Sequence, residues 1–465
     1  MDEKIKEKKI LPHWRQILFW LVVAAMVLLA GVMLASWVVG RQLGAEIVKI
    51  SEAGEPLTFS DLAKTTPAQS PTDEDASRYY AEALMGISPA SLPNLTRIHT
   101  FYRQNVTSLP AKQFPSDLRD SVSQNLAAVE AIFERLDKGA GMPLSRFDIG
   151  ISEGIETFKT RMQSGQTVVL LSSLRTLDLI LQGQDDAAAK SVISLLKMLR
   201  IFDLHPTLVV HSIKAGFVGL SCEDVRLLLE RGSPSAELLP KLEDALSEVV
   251  GANALEKVFL AERVYQTQIG RNLIPKNITS RFFQEQGTDL PEQIGLPGSF
   301  VGRLRLRQKA CSYFRYMTRV IAASRQPWPG PLDEIFDKMF RSAEKPGKLE
   351  SSTAMLTRLT AEVFVAVRCT RLAVAIERYR AHQKDGKLPD TFDDLVPNYI
   401  EQVLLDPFTG KQLLYSRDEE SYVVYSASTN LTDDGGSIRP TEEGKMPLDR
   451  GLRIRLAWPG SNTTD

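Results

Sequence analysis

The stretch TVVLLSSLRTLDLILQGQDDAAAKSVISLLKMLRIFDLHP, from Thr167 to Pro206, decides the fold class of this chain. One apolar stripe at the three-to-four spacing of a helix consists of Leu170, Leu174, Leu177 and Leu181. Gly183 suits the position after a helix end, since glycine reaches positive φ without strain. Asp185 or Asp186 is then expected to cap a second helix, which Pro206 ends. The stripe of that helix consists of Val192, Leu195, Leu199 and Phe202. The stretch predicts an antiparallel helical hairpin with a short loop.

The helical pattern continues on both sides of this hairpin. A first helix is expected near Ala76, and others at about 208–231, 235–250 and 253–270. A long amphipathic helix is expected from about Ser352 to His382, whereas the Gly- and Pro-rich text between 271 and 350 predicts loops. The polar residues 41–75 are interpreted as a linker. The sequence therefore predicts a mainly α protein with a helical domain over residues 76–349.

An uncharged run precedes the linker. ILFWLVVAAMVLLAGVMLASWVVG, from Ile17 to Gly40, contains 24 residues without a charge. At about 1.5 Å per residue this run is long enough to cross a hydrocarbon core of about 30 Å. Trp14, Trp20 and Trp37 lie near its ends, where indole rings favour the membrane interface. The run predicts a transmembrane helix at 17–40 and a contact with the membrane.

The charges around this run predict its orientation. The basic residues of the first 15 positions are Lys4, Lys6, Lys8, Lys9 and Arg15, whereas the only basic residues in the 15 positions after the run are Arg41 and Lys49. The positive-inside rule therefore keeps residues 1–16 in the cytoplasm and places the rest of the chain outside it. We expect a single-pass protein of the inner, cytoplasmic membrane. The alternative is a cleaved signal peptide, whose apolar region is usually shorter, about 7–15 residues.

The C-terminal text changes character after the long helix. Pro389 fixes the chain, and Asp390 or Thr391 is expected to cap a turn that contains Phe392. Asp406-Pro407 and Gly410 predict a tight turn. KQLLYS and SYVVYSA flank the polar RDEE and predict a β-hairpin, and GLRIRLAW predicts a final strand. Together with the helix, these elements predict a small α+β module with an antiparallel sheet over residues 350–465.

The same residues resemble the C-terminal part of the major pseudopilin of type II secretion systems. The motifs that carry the resemblance are Tyr379-Arg380, Leu388-Pro389, Asp406-Pro407-Phe408-Thr409-Gly410, Tyr415, Tyr422–Ser426 and Asp433-Asp434-Gly435-Gly436. The resemblance covers about 350–436. The prepilin cleavage site is not found in ILPHWRQILFW, and about 300 residues separate the apolar run from the module. The whole architecture is also similar to single-anchor envelope proteins of planctomycetes and related bacteria.

The resemblance implies a calcium site in the loop from Ser426 to Gly436. In pseudopilins the corresponding loop binds calcium, and the candidate ligands here are Asn430, Asp433 and Asp434. Calcium takes six to eight oxygen ligands at about 2.3–2.6 Å, from carboxylates and main-chain carbonyls. The alternative is a solvated Asp-Gly turn, since Ser428 replaces a common glycine.

Other reactive residues do not form a recognisable site. Glu262, in the apolar text FLAERVYQ, is a candidate general base, but such an acid more often pairs with an arginine or caps backbone groups. His205 and His211 are six residues apart, which does not suit a zinc pair on one helix face. Cys222, Cys311 and Cys369 show no metal or disulfide spacing and are expected to be buried apolar residues.

Composition limits the classes of function. The 56 basic and 57 acidic residues give a net charge of −1, which does not indicate nucleic-acid binding. No Gly-rich phosphate loop, serine-nucleophile motif or zinc-protease motif occurs. We therefore expect a non-enzymatic envelope protein with protein partners, linked through its last module to secretion or pilus-like machinery. The alternative is an extracytoplasmic hydrolase with a site in the helical domain around Glu262.

Overall fold

A computed structural model describes residues 13–64, 75–87, 94–110, 113–144, 155–204, 207–251, 253–272, 300–326, 348–383, 385–438 and 447–456. The chain forms two compact units, one of residues 1–59 with 263–319 and the other of residues 60–262 with 320–465. The described residues are mostly helical, with a small three-stranded antiparallel sheet near the C-terminus. The predicted fold class is confirmed.

The first two helices are α1 (His13–Glu52) and α2 (Phe59–Lys64). By length and composition α1 is able to cross a membrane, with a mean hydropathy of 2.8 in a window that is wholly unburied. It continues beyond Gly40 into residues that the sequence analysis assigns to the linker. On this extension Ile50 is buried, three turns after the buried Val39 near the end of the run, so protein contacts continue along α1 beyond Gly40.

The remaining helices follow in chain order. They are α3 (Ala76–Met85), α4 (Leu95–Ser108), α5 (Ser116–Ala127), α6 (Glu130–Ala140), α7 (Ile155–Leu181), α8 (Asp185–Met198), α9 (Leu208–Arg231), α10 (Leu238–Val249), α11 (Ala254–Asn272), α12 (Phe300–Ser324) and α13 (Lys348–His382). The helices predicted near Ala76, at 208–231, 235–250 and 253–270, and from Ser352 are confirmed. Helix α12 lies in the segment for which loops are predicted. Its buried residues Cys311, Phe314 and Met317 repeat every three positions, but six basic residues obscure that stripe in the sequence.

The predicted hairpin is formed by α7 and α8, which pack together. Gly183 has a φ of +69° between them, as expected for the residue after a helix end. The capping prediction for Asp185 and Asp186 is wrong, because Gln184 is the N-cap residue of α8. Both carboxylates instead accept backbone hydrogen bonds from the segment before α10, at 2.7 Å from Ser233 N and 2.7 Å from Ser235 N.

The sheet consists of β1 (Leu414–Arg417), β2 (Ser421–Ser426) and β3 (Arg450–Arg455), paired antiparallel in the order β1-β2-β3. This confirms the predicted hairpin and final strand. Strand β2 is buried along its whole length. On one face Tyr422 pairs with Ile454 and Val424 with Leu452, and these side chains join the main hydrophobic core.

One hydrophobic core fills the second unit, from Ala76 to Ile454. Helix α13 contacts α9 and α10 as well as β2 and β3. The helix at the start of the predicted C-terminal module is therefore packed against both the sheet and the helical body. The domain boundary at 349/350 stays a prediction, since no break in the core marks it among the described residues.

The turns of the C-terminal segment follow their sequence signals. Thr391 forms a capping box with Asp394 at the start of the 3₁₀ turn Phe392–Leu395. The Asp406 carboxylate accepts from Phe408 N at 2.8 Å and from Ser426 Oγ at 2.8 Å, while Gly410 has a φ of +69°. The Asp406 side chain therefore joins this turn to Ser426, the last residue of β2.

Candidate functional site

The loop that carries the predicted calcium ligands folds back on the outer face of the sheet. Four residues of this loop have positive φ: Ser428, Leu431, Gly435 and Gly436. A Cβ atom at Gly436 would lie 3.3 Å from Val423 Cγ1 and 3.4 Å from the Tyr425 ring. The loop thus covers the second face of β2, which explains why Val423 and Tyr425 are buried.

The three predicted ligands lie in one loop but accept hydrogen bonds within it. Asp433 Oδ1 accepts from Tyr425 Oη and from Gly435 N, both at 2.9 Å. Asp434 Oδ2 accepts from Asn430 Nδ2 at 2.7 Å, and Asn430 Oδ1 accepts from Thr432 N at 3.0 Å. These are the contacts of a turn that satisfies its own polar groups.

Asp449 is the carboxylate of this region that sequence reasoning missed. It has no solvent exposure. Its oxygens accept from Asp434 N at 3.4 Å, Gly436 N at 2.9 Å and Ser437 N at 3.0 Å. A buried carboxylate bonded to backbone N–H groups holds the loop in shape. Its position just before β3, in the dipeptide Leu448-Asp449, gave no sequence signal.

The side chains around this loop offer calcium a weak set of ligands. Among the residues the structure describes, no group of three acidic, histidine or cysteine side chains is placed to hold a metal ion. Asp449 is already bonded to three backbone donors. Main-chain carbonyls would therefore have to supply most of the six to eight oxygens that calcium requires. The assignment of Asn430, Asp433 and Asp434 to calcium stays a prediction.

A second candidate site is a cleft in the helical body. It has a volume of about 630 Å³ and lies between α4, α7 and α9. Its lining consists of His99, Thr100, Arg103, Gln104, Thr107, Ser108, Leu170, Gly216 and Leu220. One face of α4 supplies most of these residues, at the three-to-four spacing of a helix, and adds polar groups to a lining whose surface is mainly apolar.

A buried polar cluster lies beside the cleft. His99 Nε2 is 2.9 Å from Ser173 Oγ, and Arg103 Nη2 donates to the same hydroxyl at 2.8 Å. Ser173 Oγ donates to Asp224 Oδ1 at 3.0 Å. Arg103 Nη2 also donates to Asp224 Oδ1. The four side chains come from α4, α7 and α9, so the cluster links the three helices that form the cleft.

Burial shifts the pKa values of this cluster. Removal from water raises the pKa of Asp224 to about 6, although Arg103 and Ser173 oppose the shift. Burial, and then the charge of Arg103, lowers the pKa of His99 to about 4. His99 is therefore neutral at neutral pH. Because the Ser173 proton points to Asp224, His99 carries its own proton on Nε2 and donates it to Ser173.

The cluster contains the residue types of a Ser–His–Asp triad in an arrangement that does not activate serine. In a triad the histidine lies between serine and aspartate and takes the serine proton. Here Ser173 lies between His99 and Asp224 and donates a hydrogen bond to Asp224. Ser173 also has no solvent exposure, so its oxygen does not reach a substrate in the cleft. The arrangement fixes the wall of the cleft and does not create a nucleophile.

Two further contacts fix α4 against the body. Tyr102 Oη donates to Asp178 Oδ1 at 2.8 Å, and Gln182 Nε2 and Ser123 Oγ donate to Asp178 Oδ2 at 2.7 and 3.0 Å. Arg231, at the end of α9, donates to the carbonyl oxygens of Val106 and Leu109, the latter at 2.5 Å. A cation on the last carbonyls of α4 is a C-terminal cap. These contacts hold α4, which supplies most of the cleft lining, against the rest of the helical body.

The other candidates have structural contacts. Glu262 is buried and its Oε2 accepts from Leu208 N at 3.4 Å, at the start of α9. Arg263 Nη1 donates to Glu55 Oε2 at 2.6 Å. His211 Nε2 is 2.9 Å from Thr360 Oγ1, whereas His205 lies outside the described residues. All three cysteines are free and buried, as predicted. Neither Glu262 nor His211 lines the cleft.

Comparison of the chain with protein-family models, with curated proteins and with solved structures finds no match. The site must therefore be interpreted from its own geometry. Sequence reasoning missed the cluster because its members are far apart in the chain. The available signal was weak: His99 and Arg103 are four residues apart, and Ser173 and Asp224 interrupt apolar helical stripes.

Proposed function

We propose that this chain is a non-enzymatic envelope protein, anchored in the inner membrane by α1, whose exported helical body binds protein partners. The observation that carries the proposal is α1 itself. Its apolar window has a mean hydropathy of 2.8 and none of it is buried by protein. Such a surface is costly in water and needs a hydrocarbon environment.

The distribution of basic residues supports the orientation. Lys4, Lys6, Lys8, Lys9 and Arg15 precede the apolar run, and only Arg41 and Lys49 follow it within 15 residues. By the positive-inside rule the N-terminus stays in the cytoplasm and the helical body lies on the other side.

The cleft beside α4 supports a binding role for the helical body. It offers the amide of Gln104, with Leu170 and Leu220 as apolar walls. The hydroxyls of Thr100, Thr107 and Ser108 donate to backbone carbonyls of α4 and are left as acceptors. Mixed polar and apolar lining of this kind suits a short peptide segment of a partner. The buried cluster fixes the position of α4, which lines the cleft, and this reduces the conformational entropy lost when a partner binds.

The C-terminal segment supports a link to secretion or pilus-like machinery. Its order of a long helix, a capped turn, an Asp-Pro turn, a hairpin and an aspartate-bearing loop is the order that the resemblance to the major pseudopilin implies. The protein partners in this proposal therefore belong to secretion or pilus-like machinery.

The hydrolase alternative has less support from the described residues. Glu262 is committed to a backbone hydrogen bond outside the cleft. Beside the cleft, Ser173 is buried and donates a hydrogen bond to Asp224. A hydrolase would need an accessible nucleophile or an activated water near a base of suitable pKa.

Extraction of membranes with alkaline carbonate tests the anchor. Met26→Arg combined with Leu29→Arg places two charges in the middle of the apolar run, at a cost of about 3 kcal/mol each. We expect the wild type to stay with the lipid and this variant to enter the soluble fraction. The matched control, Val48→Arg, lies on an exposed part of α1 beyond the run and should stay with the lipid. Complete extraction of the wild type contradicts the anchor.

Site-specific photo-crosslinking tests the binding role. A photoreactive residue at Gln104, in the cleft, should give discrete crosslinked protein bands in intact cells. The control position is Lys138, which is exposed on α6 and lies outside the cleft lining. Equal patterns at both positions contradict a role for the cleft in partner binding.

A further inference from the structure

We propose that the cleft beside α4 binds an extended segment of the partner protein that carries an acidic side chain at its centre, and that Arg103 binds this carboxylate. The inference deepens the proposed function and rests on it, because it names the chemistry of the partner that the cleft takes. Arg103 both lines the cleft and belongs to the buried cluster, so it connects the two.

Arg103 has donor capacity that the protein leaves unused. A guanidinium carries five N–H donors. In Arg103 the nitrogen that bonds to Ser173 and Asp224 is Nη2. Among the residues that the structure describes, the buried Nε has no partner and Nη1 makes no hydrogen bond. Because Arg103 lines the cleft and 18% of its side chain is exposed, a ligand in the cleft can accept a hydrogen bond from it.

The lining favours an anion at this point. Among the described residues that line the cleft, Arg103 carries the one positive charge at neutral pH, since His99 is neutral, and no side chain is acidic. A carboxylate makes a shorter and stronger hydrogen bond with arginine than a neutral amide does. Asp224 competes for the same cation from the buried side. Removal of the Asp224 charge should therefore strengthen the binding of a carboxylate in the cleft.

The position of Arg103 indicates an internal side chain and not a chain terminus. Along α4 the lining extends from His99 to Ser108, which is about 13 Å at 1.5 Å per residue. Arg103 lies about 6 Å along the helix from His99 and about 7.5 Å from Ser108. An extended segment of about four residues covers this length, and its central side chains then lie level with Arg103. A terminal carboxylate at the same place would leave half of the cleft empty.

The other groups of the lining suit the rest of such a segment. The hydroxyl oxygens of Thr100, Thr107 and Ser108 are left as acceptors, and the backbone N–H groups of an extended chain need acceptors. Leu170 and Leu220 offer apolar contacts to the residues next to the acid. We therefore expect an acidic residue between apolar ones in the partner.

Isothermal titration calorimetry of the full-length protein in non-ionic detergent tests the proposal. The first probe is the capped peptide acetyl-Ala-Leu-Glu-Leu-Ala-amide, and the second has Gln in place of Glu. The third is the Gln peptide with a free C-terminal carboxylate. We expect the wild type to bind the Glu peptide about tenfold more tightly than either of the others, which is the ratio that one hydrogen bond to a charged group supplies.

Variants of the cluster separate the effect of charge from the effect of folding. Asp224→Asn should bind the Glu peptide several-fold more tightly than the wild type does. Arg103→Gln/Asp224→Asn should lose the preference for Glu over Gln, and it removes both charges together, so that no buried charge is left unpaired. The matched control is Arg97→Gln, on an exposed position of α4 outside the lining, which should keep the wild-type preference. Circular dichroism verifies that each variant keeps its helical content.

Equal affinity of the wild type for the Glu and Gln peptides, or no binding of the Glu peptide at millimolar concentration, would overturn the proposal. Tighter binding of the peptide with the free C-terminus would also overturn it, because the cleft would then take a chain end. An equal loss of preference in Arg97→Gln and in the double variant would do the same. Failure of the proposed function is separate, because it is recorded by crosslinking at Gln104 and by carbonate extraction.

Discussion

Replacement of Asp224 by asparagine should change how the stability of the helical body depends on pH. The carboxylate is fully buried and accepts hydrogen bonds from Ser173 and Arg103. Burial nevertheless raises its pKa to about 6 from the ordinary 3.8. The folded state thus holds the proton more tightly than the unfolded chain does. Asparagine keeps the size of the side chain and stays neutral at every pH.

The sign and the size follow from linkage. Between about pH 4 and pH 6 the folded state binds more protons than the unfolded state, so the free energy of unfolding falls as pH rises. A shift of about two pKa units corresponds to roughly 3 kcal/mol. We therefore expect the stability of the wild type minus that of Asp224→Asn to fall by about 3 kcal/mol between pH 4 and pH 7.

The assay is urea-induced unfolding of the full-length protein in non-ionic detergent, followed by circular dichroism at several pH values. His99→Gln is an internal check with the opposite sign. Burial and the charge of Arg103 lower the pKa of His99 to about 4. The unfolded chain then binds the extra proton between pH 4 and 6.5, so His99 supports folding less as pH falls. The wild type minus this variant should rise by about 3 kcal/mol over the same range.

A constant difference between the wild type and Asp224→Asn would refute this reasoning. So would a difference that grows with pH, because it would mean that the ion pair with Arg103 outweighs the cost of burying the carboxylate. In that case Asp224 would be a stabilising anion and not a strained one.

Three further predictions concern other parts of the chain. Residues 350–465 expressed alone should show no cooperative thermal transition, because α13 would lose its contacts with α9 and α10; a sharp transition would establish an autonomous module. Millimolar calcium should raise the melting temperature of the full chain by several degrees over chelator if Asn430, Asp433 and Asp434 hold the ion, and Asp433→Asn/Asp434→Asn should lose that difference; identical wild-type curves refute the site. Gly139→Ala should lower the free energy of unfolding by about 1–3 kcal/mol, since its Cβ would lie 2.6 Å from the Tyr80 ring. Gly216→Ala has open space around it and should raise that free energy by up to about 1 kcal/mol. Equal effects of the two variants in urea unfolding would contradict this packing.

The elements with strong local signals were predictable from the sequence. The α7–α8 hairpin follows from two apolar stripes around Gly183, and α13 from a long amphipathic pattern. The capping box at Thr391 and the turn at Asp406 follow from side chains that bond to the backbone nearby. In each case the residues that decide the structure are within a few positions of one another.

One error and one omission show where local signals fail. Asp185 and Asp186 occupy capping positions by sequence, yet their oxygens bond to the segment before α10, some 50 residues away. Helix α12 lies in the Gly- and Pro-rich segment for which loops are predicted, and the basic residues that interrupt its apolar stripe gave no helix signal there. Packing of Cys311, Phe314 and Met317 outweighs that weak pattern. Tertiary contacts decided both outcomes.

The candidate site shows the same limit. Asn430, Asp433 and Asp434 were found because they are close in sequence, but Asp449, which organises their loop, comes after a gap of about 15 residues. The cluster beside the cleft combines side chains from three helices that are separated by 51 to 121 positions. No spacing rule joins residues that far apart without the fold.

The orientation of the chain in the membrane is the central claim, and fused reporters measure it most directly. One reporter that is active only outside the cytoplasm and one that is active only inside it are each joined after Asp465 of the full-length protein. The positive-inside distribution of basic residues around Ile17–Gly40 predicts activity of the first reporter alone, in the membrane fraction. Activity of the cytoplasmic reporter alone would contradict the export of the helical body and with it the proposed function.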